Sequence, residues 1–231
     1  MEALILMTRI PIPGQTKTRL MDIFTGEECA EIHRCFLLDL FSMFGYIKED
    51  VDIFLSYTPD GSLNILEEIL PDYIRTFPQR GDNLGKRMEN AINKVLNMGY
   101  KKVILIGSDI PSIQPEDVME GFEILDDNDL CLGTTFDGGY YLIGMKKLYK
   151  EIFDDSIKWG RKTVLEGTMQ IANNLGLRVG LATKHMDIDT MEDIIRFKEK
   201  INSGYFTGKI LPKHTVAYLE KHRGEIKYVE R

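Results

Sequence analysis

The sequence is poor in the residues that build disulfide scaffolds, zinc knuckles and membrane spans. Its three cysteines, Cys29, Cys35 and Cys131, are odd in number and show no C-x-x-C spacing. That excludes a disulfide framework and reads as core thiols in a reducing compartment. The apolar run near the amino end, Ala3 to Met7, is too short for a signal peptide, and no later run approaches a membrane span, so a cytoplasmic location is expected. Positive charge is in deficit too: 29 Lys and Arg against 36 Asp and Glu leave a net charge of -7. This excludes a general binder of nucleic acid or of an anionic membrane surface, and any phosphate must be met by a local group of cations. No G-x-x-x-x-G-K-[ST] loop, G-x-G-x-x-G fingerprint, internal repeat or Ser/His/Asp constellation is present.

What is there is a 231-residue chain with 43% apolar residues, enough for one full core. Hydrophobic periodicity predicts strands at 3–7, 51–57, 73–77, 103–106, 130–135, 140–145 and 178–183. It predicts helices at 27–47, 63–70, 84–98, 115–125, 147–153, 162–175 and, after Asp193, to about 201. The alternation is β-α-β throughout, except that Asp137-Gly138-Gly139 between two apolar runs signals a hairpin and therefore a mixed sheet. Residues 1–206 read as one domain. Residues 207–231, charged and containing Pro212, read as a helical extension outside the core.

The chemistry concentrates at strand ends. Lys101 to Pro111 reads as a strand buried on both faces that stops at Gly107-Ser108 and leaves Asp109 at its carboxyl edge, where open α/β sheets bind ligands. Asp109 is either a helix cap or a metal ligand. After the first strand, Thr8 to Leu20 carries two prolines, Gly14 and the cations Arg9, Lys17 and Arg19, a phosphate cradle or else a solvated basic loop. Gln79 to Met88 is a glycine-bearing strand-to-helix turn. Asp137 is a turn residue by default, and Trp159 is either a packing residue or a platform. His185, Asp187 and Asp189 alternate and could face one metal, although one imidazole beside two carboxylates is thin support for zinc. Asp189 to Glu192 also reads as a helix cap.

Five motifs in order resemble the DUF2064 family of the GT-A, or nucleotide-diphospho-sugar transferase, superfamily. They are T-R-x-P-x-P-G-x-x-K-T-R-L at 8–20, Q-x-G-x-x-L-G-x-R-M at 79–88, I-G-S-D-x-P at 106–111, D-G-G-Y-Y-L-I-G at 137–144 and D-x-D-T at 187–190. The phospholactate guanylyltransferases and molybdenum cofactor nucleotidyltransferases are similar at greater distance. Ile110 and Gly160 depart from the Cys and Ser that family members carry, without loss of charge.

The resemblance implies a three-layer α/β/α sandwich of GT-A fold with a mostly parallel sheet. It implies Mg²⁺ or Mn²⁺ on Asp109 and Asp189, and a nucleotide held by Thr8, Arg9, Gly14, Lys17, Arg19, Gln79, Gly81, Leu84, Gly85 and Ser108. It places a small-molecule acceptor against Asp137, Gly138, Gly139, Tyr140 and Trp159, with Lys17, Arg19 and Asp109 in catalytic roles. The expected activity is metal-dependent nucleotidyl transfer from an NTP to a small acceptor with release of pyrophosphate. The alternatives are glycosyl transfer from an NDP-sugar and non-catalytic nucleotide binding. No motif specifies the acceptor, the base or the oligomeric state.

Overall fold

A computed structural model describes residues 1–160, 163–224 and 226. The strands are β1 (Glu2–Arg9), β2 (Asp52–Thr58), β3 (Arg75–Pro78), β4 (Lys102–Gly107), β5 (Leu130–Thr135), β6 (Tyr140–Met145) and β7 (Val179–His185). They form one sheet in the order β3-β2-β1-β4-β6-β5-β7, and β6 alone runs against its neighbours β4 and β5. The hairpin expected at Asp137-Gly138-Gly139 is therefore what makes the sheet mixed. The helices are α1 (Gly26–Phe44), α2 (Leu84–Leu96), α3 (Pro115–Asp127), α4 (Val164–Asn174), α5 (Met191–Asn202) and α6 (Lys213–Lys221).

Three layers follow from the period of two along each buried strand. Leu4 and Leu6 of β1, with Ile104 and Ile106 of β4, face α1 and α3. Ala3 and Ile5, with Val103 and Leu105, face α2 on the opposite side. Strands buried on both faces need continuous aliphatic runs, and β1 and β4 supply them. α1 opens on a capping box: Thr25 Oγ1 accepts from the Glu28 N–H at 3.2 Å, and Glu28 Oε2 accepts from the Thr25 N–H at 2.7 Å.

Several expectations are corrected. The windows 63–70 and 147–153 are not α-helices; each holds a short 3-10 turn, Leu63–Leu66 and Lys150–Phe153. Segments of eight residues or fewer scarcely offset helix nucleation. Glu67 and Glu68 also place negative charge at the end of the first window, where the helix dipole disfavours it. The helix expected over 162–175 is observed as Val164–Asn174, and residues 161 and 162 lie outside the described residues. The cap before α5 is Thr190 paired with Asp193, one residue later than Asp189 to Glu192.

The extension is not outside the core. Tyr218, Leu219 and Ile226 join a third buried cluster with Leu20 and Phe24 from the loop after β1, Ile32 and Phe36 of α1, and Ile188 and Ile194 around the start of α5. Asp39 of α1 anchors it. Its carboxylate accepts from the His214 N–H at 2.9 Å, the Thr215 N–H at 2.8 Å and the Thr215 hydroxyl at 2.7 Å, all at the amino end of α6. Removing that acceptor strands buried donors and an uncompensated helix dipole. Asp39→Ala is expected to lower unfolding free energy by about 2 kcal/mol in urea titrations; an unchanged midpoint would show that α6 is held without it.

Candidate functional site

The carboxyl edge of the sheet opens into a cleft of about 720 Å³, within the size range of small-molecule sites. The ends of β1, β4 and β5, the start of the antiparallel β6, and the segment after β7 all reach this edge, so residues distant in sequence meet there. A backbone bond from the Ile188 N–H to the Asp109 C=O, 2.9 Å, ties the turn after β4 to the segment before α5.

The centre of the site is the Lys17 ammonium. Its Nζ lies 2.5 Å from Asp109 Oδ1, 3.0 Å from Asp189 Oδ1 and 2.7 Å from the Ile188 carbonyl oxygen, and the side chain is 3% exposed. Burial works against the charged form, but the two carboxylates outweigh it and hold the Lys17 pKa above its ordinary value. Phe36 lies beneath, its ring centroid 5.0 Å from Nζ. Arg19, two-thirds exposed, reaches Asp189 Oδ2 at 3.6 Å, and Arg9 lines the same cleft. Asp109 caps no helix: α3 begins at Pro115, and it is the Gln114 N–H that bonds the Asp117 carboxylate.

Below the basic loop a neutral histidine joins four elements. His33 Nε2 of α1 lies 3.1 Å from both Thr8 Oγ1 of β1 and Ser108 Oγ after β4, and its Nδ1 is hydrogen-bonded with the Thr16 hydroxyl. Burial, reinforced by the Lys17 charge, drives its pKa down to about 3. Gln79 plays the same part beside it, since its Nε2 donates to the Thr8 and Ser56 carbonyls at 2.9 and 3.0 Å. Its side-chain oxygen is left as the polar atom it can offer a ligand.

Thr8, Arg9, Lys17, Arg19, Gln79, Leu84, Ser108, Asp109, Asp137, Gly139, Tyr140, Trp159 and Asp189 all line the cleft; Gly14, Gly81, Gly85 and Gly138 do not. The last three serve the scaffold. Gly81, at φ +131°, turns so tightly that a Cβ would sit 2.8 Å from the Lys86 carbonyl carbon. A Cβ on Gly85 would clash with Trp159 Nε1. Gly138 accepts the Leu165 N–H at 3.2 Å through its carbonyl oxygen. Trp159 thus packs on Gly85 and stacks on Phe153, with centroids 6.4 Å apart, and also walls the cleft. Asp137 is the turn residue of its hairpin, with Oδ1 accepting from the Thr135 hydroxyl at 2.5 Å and the Gly139 N–H at 3.1 Å.

His185, Asp187 and Asp189 do not share a metal. β7 ends at His185, whose ring is buried against Tyr141 with Nε2 2.9 Å from Asp117 Oδ2, whereas Asp187 and Asp189 have left the strand and face the cleft. Among the described residues no group of three or more His, Cys, Asp or Glu side chains is placed to hold a metal. Asp109 and Asp189 nevertheless fit a hard divalent cation. With the Ile188 carbonyl they already ring one stand-in cation, the Lys17 ammonium, with oxygens. Mg²⁺ characteristically takes one or two carboxylates and completes its shell with substrate phosphates and water. Acid crowds this wall: burial, then the charges of Asp137, Asp189 and Asp109, push Asp187 up to about 6.

A family profile described as an uncharacterized protein conserved in bacteria, DUF2064, matches residues 46–161. A protein from Desulfovibrio desulfuricans G20, assigned as a nucleotide-diphospho-sugar transferase, is 30% identical over 98% of this chain and 97% of its own, with a TM-score of 0.87. The chain belongs to the DUF2064 family. The DUF2064 fold is shared at lower identity. The 4-diphosphocytidyl-2C-methyl-D-erythritol synthase of Anaerococcus prevotii is 16% identical over 87% of this chain and 99% of its own, with a TM-score of 0.57. A cytidylyltransferase of Leptospira borgpetersenii is 16% identical over 97% and 96%, with a TM-score of 0.55. No protein of curated function matches the DUF2064 chain. Among its described residues no helix is long and apolar enough to cross a membrane.

Reading of the sequence missed His33, and gave Thr16 of the basic loop and Arg87 of the 79–88 motif no individual role; both line the cleft. Arg87 is aimed at the cleft by its Nε bond to the Gly81 carbonyl, 3.0 Å. His33 carried a signal, a polar side chain inside the apolar stripe of α1 between Ile32 and Phe36. Its folded pKa lies below the unfolded value of about 6.5, so the unfolded chain binds the extra proton. Stability from His33 is complete above that value and is lost as pH falls through the window from about 6.5 to 3. Between pH 7 and pH 5 this amounts to about 2 kcal/mol. Urea titrations of His33→Gln over the same range should lack that component; parallel pH curves for the two proteins would place the titration elsewhere.

Proposed function

We propose that this DUF2064 protein is a nucleotide-utilising transferase that moves a nucleotidyl group from an NTP to a small-molecule acceptor and releases pyrophosphate. The observation that carries the reading is the meeting of the basic loop after β1 with Asp109 and Asp189 in one cleft at the carboxyl edge of the sheet. Arg9 and Arg19 offer planar forks to phosphate oxygens, and Lys17 offers a point charge. The hydroxyls of Thr8 and Ser108 bond His33, whose Nδ1 is hydrogen-bonded with the Thr16 hydroxyl, and this chain of bonds ties the loop to the ends of β1 and β4.

Mg²⁺ or Mn²⁺ on Asp109 and Asp189 would neutralise charge that builds on the departing phosphate oxygens. Leu84, Trp159 and the fixed Gln79 form the wall offered to base and ribose, and Asp137, Gly139 and Tyr140 line the side left for the acceptor. An acceptor held there, with the phosphates clamped opposite, is positioned for in-line attack without a covalent protein intermediate.

Glycosyl transfer from an NDP-sugar is the second reading, favoured by the Desulfovibrio relative at 30% identity. The same clamp on a diphosphate serves either reaction, and the bond that breaks separates them. Incubation with Mg²⁺ and each NTP or NDP-sugar, in the presence of a panel of small acceptors, decides: pyrophosphate release supports nucleotidyl transfer, and NDP release supports glycosyl transfer. Turnover of neither, with nucleotide still bound, would mark a binding protein on a transferase scaffold.

Asp109→Asn is expected to lower turnover by at least about a hundredfold, the scale of losing one electrostatic group aimed at the developing charge. Undiminished turnover would leave Asp109 as no more than the Lys17 counter-ion. Arg19→Ala, at an exposed position, should weaken triphosphate binding more than monophosphate binding and leave the melting temperature unchanged; equal effects on both nucleotides would remove Arg19 from the phosphate clamp.

A further inference from the structure

Lys17 cannot hold a phosphate where it stands. An ammonium has three N–H donors, and those of Lys17 face three oxygens, on Asp109, Asp189 and the Ile188 carbonyl. Nor can Asp109 and Asp189 close on a divalent ion while Nζ lies 2.5 and 3.0 Å from them. The two partnerships proposed for this site, lysine with phosphate and carboxylates with metal, therefore exclude the arrangement seen.

Moving one partner alone is unfavourable. A metal ion entering by itself would part a buried ammonium, 3% exposed, from both of its counter-ions and leave it beside a second cation. A polyphosphate entering by itself would draw Lys17 away, leaving Asp109 without a cation and Asp189 with Arg19 alone, and these carboxylates, with Asp187 and Asp137 in the same cleft, would face its negative oxygens. When both arrive, every charge keeps a partner: phosphate replaces the carboxylates around Lys17, and the metal replaces Lys17 between the carboxylates.

The backbone supplies a place for the change. Lys17 is the one non-glycine residue of positive φ among the described residues, at φ 48°, in a loop with Gly14 at φ +72° three positions earlier. Left-handed geometry at a residue with a Cβ persists where surrounding contacts hold it, and here those contacts are the ones exchanged.

We infer that Lys17 is an internal cation latch that closes the Asp109–Asp189 pair to free divalent ions, so that the site takes its metal only together with a polyphosphate, as one metal–polyphosphate unit. This rests on the reading of Asp109 and Asp189 as the metal pair. No bond to phosphorus or carbon changes in the exchange, and the coupling is reciprocal: metal tightens polyphosphate by the factor by which polyphosphate tightens metal.

The test uses the full chain and Mn²⁺, followed by water-proton relaxation, which rises when the ion is attached to a slowly tumbling protein. The wild type should show no enhancement with Mn²⁺ alone and a large one with Mn²⁺ plus inorganic tripolyphosphate. Lys17→Met should bind Mn²⁺ alone at least about tenfold tighter than the wild type, within the ordinary range of couplings between sites, and gain less from tripolyphosphate. Equal wild-type enhancement with and without tripolyphosphate would overturn the latch while leaving the metal pair standing, and it needs no variant. No enhancement in either protein with either addition would overturn the metal pair and the latch with it.

Discussion

A buried ammonium between two carboxylates is the contact on which the ligand-binding edge of this protein depends. Lys17 belongs to a loop of prolines and glycine with little regular structure of its own, Asp109 to the turn after β4, and Asp189 to the segment entering α5. Coulomb attraction to a buried ammonium joins three segments into one wall, because the Lys17 charge left alone there would be costly. The same constraint makes the wall responsive. Under the latch proposed above, a ligand would enter by offering substitutes for the partners of Lys17, Asp109 and Asp189.

The rest of the fold serves that edge. β1 and β4 lie side by side at the centre of the sheet, and their parallel register brings Thr8 and Ser108 to the same level, where His33 bonds both. A hydrophobic cluster from the loop after β1, α1, α5 and α6 lies under Lys17 and Ile188, so the carboxyl-terminal helix supports the loop from behind. On the other side of the cleft, the tight approach of Trp159 to Gly85 fixes the opposite wall. These supports are apolar or neutral, and the charged groups face the opening.

Legibility in the sequence tracked the range of the interaction. Continuous apolar runs marked β1, β4, β5 and β6 closely, since strands buried on both faces tolerate little else. The windows 63–70 and 147–153 looked helical by pattern and are single turns, because pattern carries no term for nucleation over so few residues. Asp109 and the basic loop were visible as unusual residues at strand ends. That Gly81 and Gly85 serve a turn and an indole rather than a ligand could not be read, since the same glycine suits both. His33 was passed over because a helix face is judged by its majority.

The sequence by itself determined which residues could be strands, which segments could only be loops, and where charge would stand without a local partner, because each of these follows from the chain's own neighbours within a few positions. The family motifs likewise lie within short stretches. Only the tertiary structure decided that Lys17 meets Asp109 and Asp189, that His185 turns away from Asp187, and that residues near 218 stand behind residues near 20. Those choices depend on strand order and crossover, which place residues more than 170 positions apart within hydrogen-bonding distance, and no local pattern records them.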